Sequence, residues 1–146
     1  MMAAVWVRAG RPTDVDALLE LWLVAAENAS RPSDSRGTVL GLLQRDPEAL
    51  IVAEEDDRLI GSVIAGWDGW RAHLYRLAVH PDWRRRGVGQ ALLGAAETRL
   101  AGLGAQRFDA MVLDGNRLGH RLWEAAGYRR QDDWGRWVKP AANPKA

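Results

Sequence analysis

The sequence predicts an α/β (α+β) fold in which a mixed, mainly antiparallel central sheet is flanked by helices. Two observations carry this prediction. Three β-type segments follow one another in the middle of the chain, separated only by the short turns Asp56-Asp57 and Asp68-Gly69. Helical patterns with apolar residues on one face precede and follow these segments, as at Val88, Leu92 and Ala96.

The predicted elements follow the order β-α-α-β-β-β-α-β-α-β. The first helix has a capping-box signature in Thr13 and Asp16, and the polar run 30–35 separates it from the second. Asn116 is the predicted N-cap of the last helix and Gly127 its C-cap. The expected strands span 5–9, 49–54, 59–67, 72–79, 107–113 and 134–138, and the expected helices span about 13–26, 39–43, 87–103 and 116–126.

Composition limits the classes of function. The chain has 146 residues, of which 47% are hydrophobic, and this predicts one domain over residues 1–139 with a disordered tail at 140–146. The absence of cysteine excludes disulfides, thiolate metal ligands and a cysteine nucleophile, and no apolar run approaches membrane-spanning length. With 20 basic and 19 acidic residues, no overall field would attract nucleic acid or an anionic membrane. We therefore expect a cytoplasmic protein without a metal, whose anion site, if present, is local.

One segment has the features of such a site. A strand ending at Val79 leads into Arg84-Arg85-Arg86-Gly87-Val88-Gly89, and an amphipathic helix follows immediately. The unpaired N–H groups and positive end of a helix N-terminus attract phosphate, and glycine lets the backbone approach the ligand closely. The Gly-Lys-Ser/Thr of a nucleotide P-loop and the third glycine of a dinucleotide fingerprint are both absent. A different diphosphate site is expected, the alternatives being an ordinary solvated loop or a nucleic-acid contact.

Two motifs resemble a known family. Arg84-x-x-Gly87-x-Gly89, after the strand Leu77-Ala78-Val79 and before Gln90-Ala-Leu-Leu, is similar to the central acyl-CoA signature of the GNAT superfamily of N-acetyltransferases. The segment from Asn116 to Tyr128 resembles that family's next motif, an Asn-capped helix ending in Gly-Tyr or Gly-Phe. The resemblance in element order covers about residues 4 to 138. It implies a GNAT-like acyl-CoA N-acyltransferase fold, acetyl-CoA as acyl donor and an amine as acceptor.

The resemblance also implies where acetyl-CoA is held. The cofactor would lie in a gap where the strand ending at Val79 splays from the strand at 107–113. Its pantetheine arm would pair with the backbone of that first strand, its pyrophosphate would rest on the turn that follows, and Asn116 would touch the arm from the far side. The implied cofactor-binding residues are Leu77, Ala78, Val79, Arg84, Arg85, Arg86, Gly87, Val88, Gly89, Gln90 and Asn116.

His73 is the candidate general base. It lies four residues before Leu77, where histone acetyltransferases of the superfamily carry a glutamate and arylalkylamine acetyltransferases carry a histidine. A neutral imidazole accepts a proton readily near pH 7, as an amine nucleophile requires. The alternative for His73 is an ordinary hydrogen-bonded histidine on a strand.

The tyrosine that serves many family members as general acid is absent from its usual position. Seven residues after Asn116, where many family members carry a tyrosine, this chain has Trp123, which cannot usefully release a proton. Tyr75 is the candidate substitute and Tyr128 a second, while Trp123 itself fits a packing role. The substitution also leaves open a non-catalytic acyl-CoA-binding module as the alternative function.

The acceptor site is predicted only by position. It should be built from the loop segments 28–46 and 128–138, so the acceptor could be a small molecule or a protein amine. Glu54 and Asp68 either belong to solvated turns or attract a cationic acceptor. A homodimer is compatible with a C-terminal strand that leaves a sheet edge to cover.

Overall fold

The computed structural model describes residues 5–29 and 31–141. Its strands are β1 (Trp6–Ala9), β2 (Leu50–Glu55), β3 (Arg58–Trp67), β4 (Ala72–Val79) and β5 (Phe108–Ala110). Its α-helices are α1 (Val15–Ala25), α2 (Arg36–Arg45), α3 (Val88–Gly102) and α4 (Arg117–Ala125), and short 3-10 turns cover Pro12–Asp14 and Pro81–Trp83.

The five strands form one sheet in the order β1-β2-β3-β4-β5. Neighbours from β1 to β4 run antiparallel, whereas β4 and β5 are parallel. The β2–β3 turn places Asp56 and Asp57 at φ 51° and 62°, the left-handed conformation that a tight hairpin turn needs. The predicted antiparallel meander and the mixed fold class are confirmed.

Helices cover both faces of the sheet. We call the side packed against α1 and α2 the α1 face; its core contains Leu18, Trp22 and Leu43. We call the opposite side the α3 face; its core contains Leu92, Leu100 and the α4 residue Trp123. These apolar side chains recur at helical spacing, which is why one stripe of each helix is buried.

A β-bulge at Arg76 changes which side chains of β4 meet each face. Ser62 and Ile64 of β3 pair with Ala78 and Tyr75, so β4 has one residue more than its partner over this stretch. Arg76 takes a φ of +52° at this point. Before the bulge Leu74 packs on the α3 face, and beyond it Ala78 packs on the α1 face. The extra residue therefore reverses the side-chain alternation within a single strand.

Two predicted strands and one predicted capping interaction are wrong. β5 spans Phe108–Ala110 rather than 107–113. Residues 134–138 form no strand, and Trp137 there is 96% exposed, because no neighbouring strand offers its backbone a partner in the described part of the chain. The first capping interaction is not made by Thr13 and Asp16; the Arg11 N–H donates to the Asp14 carboxylate at 2.7 Å instead. Most of the tail predicted to be disordered, residues 142–146, lies outside the described residues.

Candidate active site

β4 and β5 separate part-way along their length. Their parallel pairing covers only Ala72–Leu74 with Phe108–Ala110. Beyond Leu74, β4 continues to Val79 and keeps its pairing with β3 on the other side. The two strands therefore stop pairing where the splay was predicted, and on its β5 side the β4 backbone from Tyr75 to Val79 has no paired strand among the described residues.

The three predicted strand residues at the splay turn their side chains away into packed cores. Leu77 and Val79 pack against the α3-face core, and Ala78 is buried on the α1 face. What this part of β4 can present to a ligand in the splay is therefore its backbone.

The turn between β4 and α3 is built from left-handed residues. Arg85 has a φ of +63° and Gly87, the N-cap of α3, a φ of +79°. No side chain caps the first turn of α3, so helix geometry leaves the N–H groups of Val88, Gly89 and Gln90 without an intrahelical acceptor. Such a turn makes a concavity of N–H groups suited to an anion.

Charge surrounds this turn. Arg84, Arg85 and Arg86 are exposed, as are Gly87 and Gln90, whereas Val88 and Gly89 are buried. Arg86 lies 3.9 Å from the carboxylate of Glu55 in the β2–β3 hairpin. The indole N–H of Trp83, just before the turn, donates to the same carboxylate. The hairpin thus holds the turn while the arginine side chains remain available to solvent.

Gly89 has a packing role that the sequence did not reveal. A Cβ at this position would lie 2.7 Å from Cδ2 of Leu122 in α4. Glycine thus allows a close approach of two helices, and a Cβ here would require the Leu122 side chain to shift, while a Cβ on Gly87 would meet nothing within 4 Å. The positive φ of Gly87 is what favours glycine at that position.

Asn116 is the N-cap of α4, as predicted. Its Oδ1 accepts from the Gly119 N–H at 2.9 Å, and its Nδ2 donates to Oε2 of Glu27 at 2.5 Å. A primary amide has two N–H donors and two acceptor positions. Among the described residues, one donor and one acceptor position of Asn116 have no partner.

His73 and Tyr75 lie together on the α1 face. Their ring centroids are 6.1 Å apart, and both side chains border an open cavity of about 180 Å³ between α2, the end of β3 and the start of β4. The residues lining the cavity are Leu42, Arg45, Asp46, Ala49, Gly66, Trp67, Asp68, His73 and Tyr75.

Two carboxylates and a phenol near His73 have shifted pKa values. Backbone N–H groups of Arg71 and Trp70 lower the pKa of Asp68. Asp109, the β5 residue in register with His73, has a lowered pKa because the Arg107 guanidinium donates to its carboxylate, an effect that outweighs its partial burial. Burial, assisted by the charge of Asp68, raises the pKa of Tyr75. His73 therefore has two ionised carboxylates in its surroundings and lies beside a tyrosine that keeps its proton at neutral pH.

Trp123 and Tyr128 are packing residues. Trp123 is 9% exposed in the α3-face core, and its ring meets that of Tyr128 edge-on at 4.9 Å. The Tyr128 hydroxyl donates to Glu97 of α3 at 2.7 Å. Burial and this carboxylate raise the pKa of Tyr128 well above its ordinary value. Its proton is engaged in a structural hydrogen bond, which argues against Tyr128 as the general acid.

A buried polar network at the bulge was not predicted from the sequence. Trp22 Nε1–H donates to Ser62 Oγ at 2.8 Å, and the Ser62 hydroxyl donates to the Arg76 carbonyl at 2.9 Å. The Arg76 side chain, 7% exposed, donates to Asp34 and to the Glu27 carbonyl in the α1–α2 loop. One signal was available: the apolar alternation of Ala72 and Leu74 resumes out of phase at Leu77 and Val79.

The described residues contain no group of three or more His, Asp or Glu side chains placed to hold a metal ion. Within the same residues, no helix is both long and apolar enough to cross a membrane.

The sequence model of the Acetyltransferase (GNAT) family matches residues 15–128, which is more than half of the chain. The chain belongs to this family. The resemblance inferred from the two motifs is confirmed, and the protein is an N-acetyltransferase that uses acetyl-CoA as its acyl donor.

Relatives of this acetyltransferase extend over most of its length. It is 33% identical over 127 residues to an acetyltransferase of Pectobacterium atrosepticum, covering 86% of this chain and 89% of the relative. It is also 33% identical to an acetyltransferase of Yersinia enterocolitica over the same shares of the two chains.

Solved structures share the fold of this acetyltransferase. Aminoglycoside N-acetyltransferase AAC(6')-Iy, in complex with CoA, superposes with a TM-score of 0.77 at 19% identity, covering 97% of this chain and 98% of that one. Ard1 from Thermoplasma volcanium gives a TM-score of 0.76 at 19% identity, with 88% and 85% covered.

Proposed function

We propose that this acetyltransferase binds acetyl-CoA in the splay between β4 and β5 and transfers the acetyl group directly to a primary amine that enters from the α1 face. The observation that carries the proposal is the separation of β4 from β5 after Leu74 on the path to the uncapped N-terminus of α3. A strand edge that borders an open gap and leads to an anion-binding turn suits a molecule with an amide-containing arm and a pyrophosphate.

Each cofactor-binding residue has a distinct part in this proposal. Backbone groups of Leu77, Ala78 and Val79 pair with the pantetheine arm. N–H groups from Arg85 to Gln90, including those of Gly87, Val88 and Gly89, hold the pyrophosphate, and the side chains of Arg84, Arg85 and Arg86 add positive charge. Asn116 offers its remaining Nδ2–H to the arm.

His73 removes the proton that the amine carries at neutral pH, directly or through water. An alkylamine with a pKa near that of lysine, about 10.4, is almost wholly protonated at pH 7 and cannot attack until it is neutral. The amine nitrogen then forms a bond to the thioester carbon, and a backbone N–H near Val79 stabilises the oxyanion. The carbon–sulfur bond breaks, CoA leaves as the thiolate, and the second amine proton is lost to solvent.

Tyr75 supplies a proton to the thiolate and is reprotonated by solvent, which receives the second amine proton. Its position beside His73 and its raised pKa keep the hydroxyl protonated at neutral pH. A thiol with a pKa near 8.5 leaves readily as thiolate, so this proton contributes less to the rate than the base does.

The acceptor amine is proposed to occupy the cavity that His73 and Tyr75 border. Asp68 carries a lowered pKa at its rim, which favours a cationic acceptor. We further propose that the enzyme acts in the cytoplasm, in keeping with its cysteine-free sequence. A homodimer is proposed through the exposed C-terminal segment with Trp134, Trp137 and Val138.

The test has two steps. Acetyl-CoA binding is measured by calorimetry, and thiol release is then followed against a panel of small amines and amino-terminal peptides between pH 7 and 9. Binding followed by amine-dependent release supports the proposal. A failure to bind acetyl-CoA would overturn the assigned cofactor site, and binding without release on any acceptor would overturn the assigned chemistry.

A further inference from the structure

Glu27, in the loop after α1, contacts both walls of the splay between β4 and β5. It is half-buried and lies outside both family motifs. Its backbone is held from the β4 side and its carboxylate from the side of β5 and α4, so one residue spans the place where the two strands separate.

On the β4 side, the guanidinium of Arg76 makes the contact. Arg76 Nη1 donates to the Glu27 carbonyl at 2.5 Å, and Arg31 Nη1 donates to the same carbonyl at 3.0 Å. Arg76 also pairs with Asp34 at the far end of the same loop. The α1–α2 loop is therefore fixed to the bulge of β4 at both of its ends.

On the other side, the carboxylate of Glu27 meets the segment between β5 and α4. Oε2 accepts from the Leu113 N–H at 3.0 Å and from Asn116 Nδ2 at 2.5 Å. Leu113 lies three residues beyond the last paired residue of β5, Ala110, and its N–H is satisfied by this side chain.

We propose that Glu27 is a positioning residue that sets the separation of the two walls of the acetyl-CoA site and holds the Asn116 amide at the angle needed to meet the pantetheine arm. This inference rests on the proposed location of acetyl-CoA. The single oxygen Oε2 fixes a backbone donor and a side-chain donor together, so the β5–α4 segment cannot move relative to the bulge without breaking both hydrogen bonds.

Three substitutions of Glu27 distinguish the length of its side chain from its charge. An amide oxygen at the same place accepts the same two N–H groups, so Glu27→Gln keeps the bridge. Glu27→Asp keeps the charge but is one methylene shorter, and Glu27→Ala loses both. The bridge therefore predicts that the Gln variant resembles wild type, while the Asp variant resembles the Ala variant.

The test measures the dissociation constant of acetyl-CoA by calorimetry, which requires no acceptor. Glu27→Ala and Glu27→Asp are expected to weaken binding about tenfold, the loss typical of a hydrogen bond to a charged group, and Glu27→Gln less than about threefold. In the double variant Glu27→Ala/Asn116→Ala the two losses should be clearly less than additive, because both act through one contact.

Controls distinguish this inference from the proposed site. Glu20→Ala, exposed on α1, should bind as wild type does. Thermal denaturation confirms that each variant is folded, and the Gln and Asp variants carry the test if Glu27→Ala does not fold. If Glu27→Asp binds normally, or Glu27→Gln binds as poorly as Glu27→Ala, the bridge is wrong. If Gly87→Val also leaves binding unchanged, the assigned cofactor site fails with it.

Discussion

Both faces of the sheet have apolar cores, but they differ in the buried polar contacts that reach the strands. On the α3 face, apolar side chains of α3 such as Leu92 and Leu100 pack directly against the strands. On the α1 face, a buried chain of hydrogen bonds from Trp22 through Ser62 reaches the Arg76 carbonyl at the centre of β4. Apolar packing sets the spacing of layers but has no preferred direction, whereas hydrogen bonds fix orientation.

This difference matches the parts that the two sides play in the proposed reaction. The cofactor turn uses N–H groups that any helix N-terminus provides, so packing α3 in place is sufficient. The acceptor side must hold His73 and an irregular loop at defined positions. The loop is held by long-range polar contacts, of which Glu27 with Asn116 joins residues 89 positions apart.

The largest effect on the rate is expected for a substitution of His73, because the proposed mechanism places the proton transfer from the amine on the α1 face. His73→Ala is expected to lower kcat about 10²- to 10⁴-fold at neutral pH, the contribution typical of a general base. The rate should recover as pH rises toward the pKa of the amine, since the acceptor then loses its proton without help. Steady-state thiol release across pH 7 to 10 measures this. Acetyl-CoA affinity should be unchanged, and an unaltered pH profile would remove His73 from the mechanism.

The second-largest effect is expected for a substitution in the turn before α3, which tests the α3 side of the molecule. Gly87→Val places a β-branched residue at a φ of +79°, which forces the turn into another conformation and displaces its N–H groups. Acetyl-CoA affinity is expected to fall about 10- to 100-fold, given the usual strain at such a position. The matched control is Gly94→Ala in the exposed middle of α3, where a Cβ meets nothing within 4 Å. Equal affinities for the two variants would count against phosphate binding at this turn.

A smaller effect on stability tests the polar network. Ser62→Ala leaves the Trp22 indole N–H and the Arg76 carbonyl without their partner in a fully buried position. The free energy of unfolding should fall by about 1–3 kcal/mol, measured by urea denaturation. Ser33→Ala, in the exposed part of the α1–α2 loop, should change it by less than about 0.5 kcal/mol. If the two variants are equally stable, hydrogen bonding does not hold the α1 face.

The smallest effect concerns the titration of the two tyrosines of the chain, Tyr75 on the α1 side and Tyr128 on the α3 side. Both have raised pKa values, mainly through burial, so neither should ionise until the pH is clearly above 10. A phenol whose folded pKa exceeds its unfolded value stabilises the fold fully below about pH 10, and this stabilisation is lost as pH rises through the folded value. Ultraviolet titration should show delayed tyrosinate formation in native protein and ordinary titration in urea. Loss of Tyr75 by Tyr75→Phe should leave one delayed group.

Local sequence was enough to predict most of the α3 side. The strand, the turn and α3 are contiguous, and the Asn116 cap lies beside the helix that it begins, so short-range patterns contain the information. The α1 side depends on partners distant in sequence, such as Glu27 with the Leu113 N–H, and no local pattern indicates them.

The C-terminal prediction failed for a related reason. Trp134, Trp137 and Val138 have high strand propensity, but a strand forms only where a neighbour offers hydrogen bonds. The bulge at Arg76 was indicated only by a change in the phase of apolar residues, and its left-handed arginine has no propensity signal at all.

The bulge also places the side chains that border the acceptor cavity and those that pack beneath the cofactor edge on opposite faces of β4, which matters for any redesign of this enzyme. Because one inserted residue reverses the alternation, side chains at 73 and 75 border the acceptor cavity, while those at 77 and 79 pack beneath the strand edge assigned to the cofactor. A library of substitutions at the cavity residues of α2, Leu42 and Arg45, can explore new acceptors while His73, Tyr75 and the cofactor wall are kept. Deleting Arg76 would keep these side chains on the same faces but would remove the guanidinium that fixes the α1–α2 loop to β4.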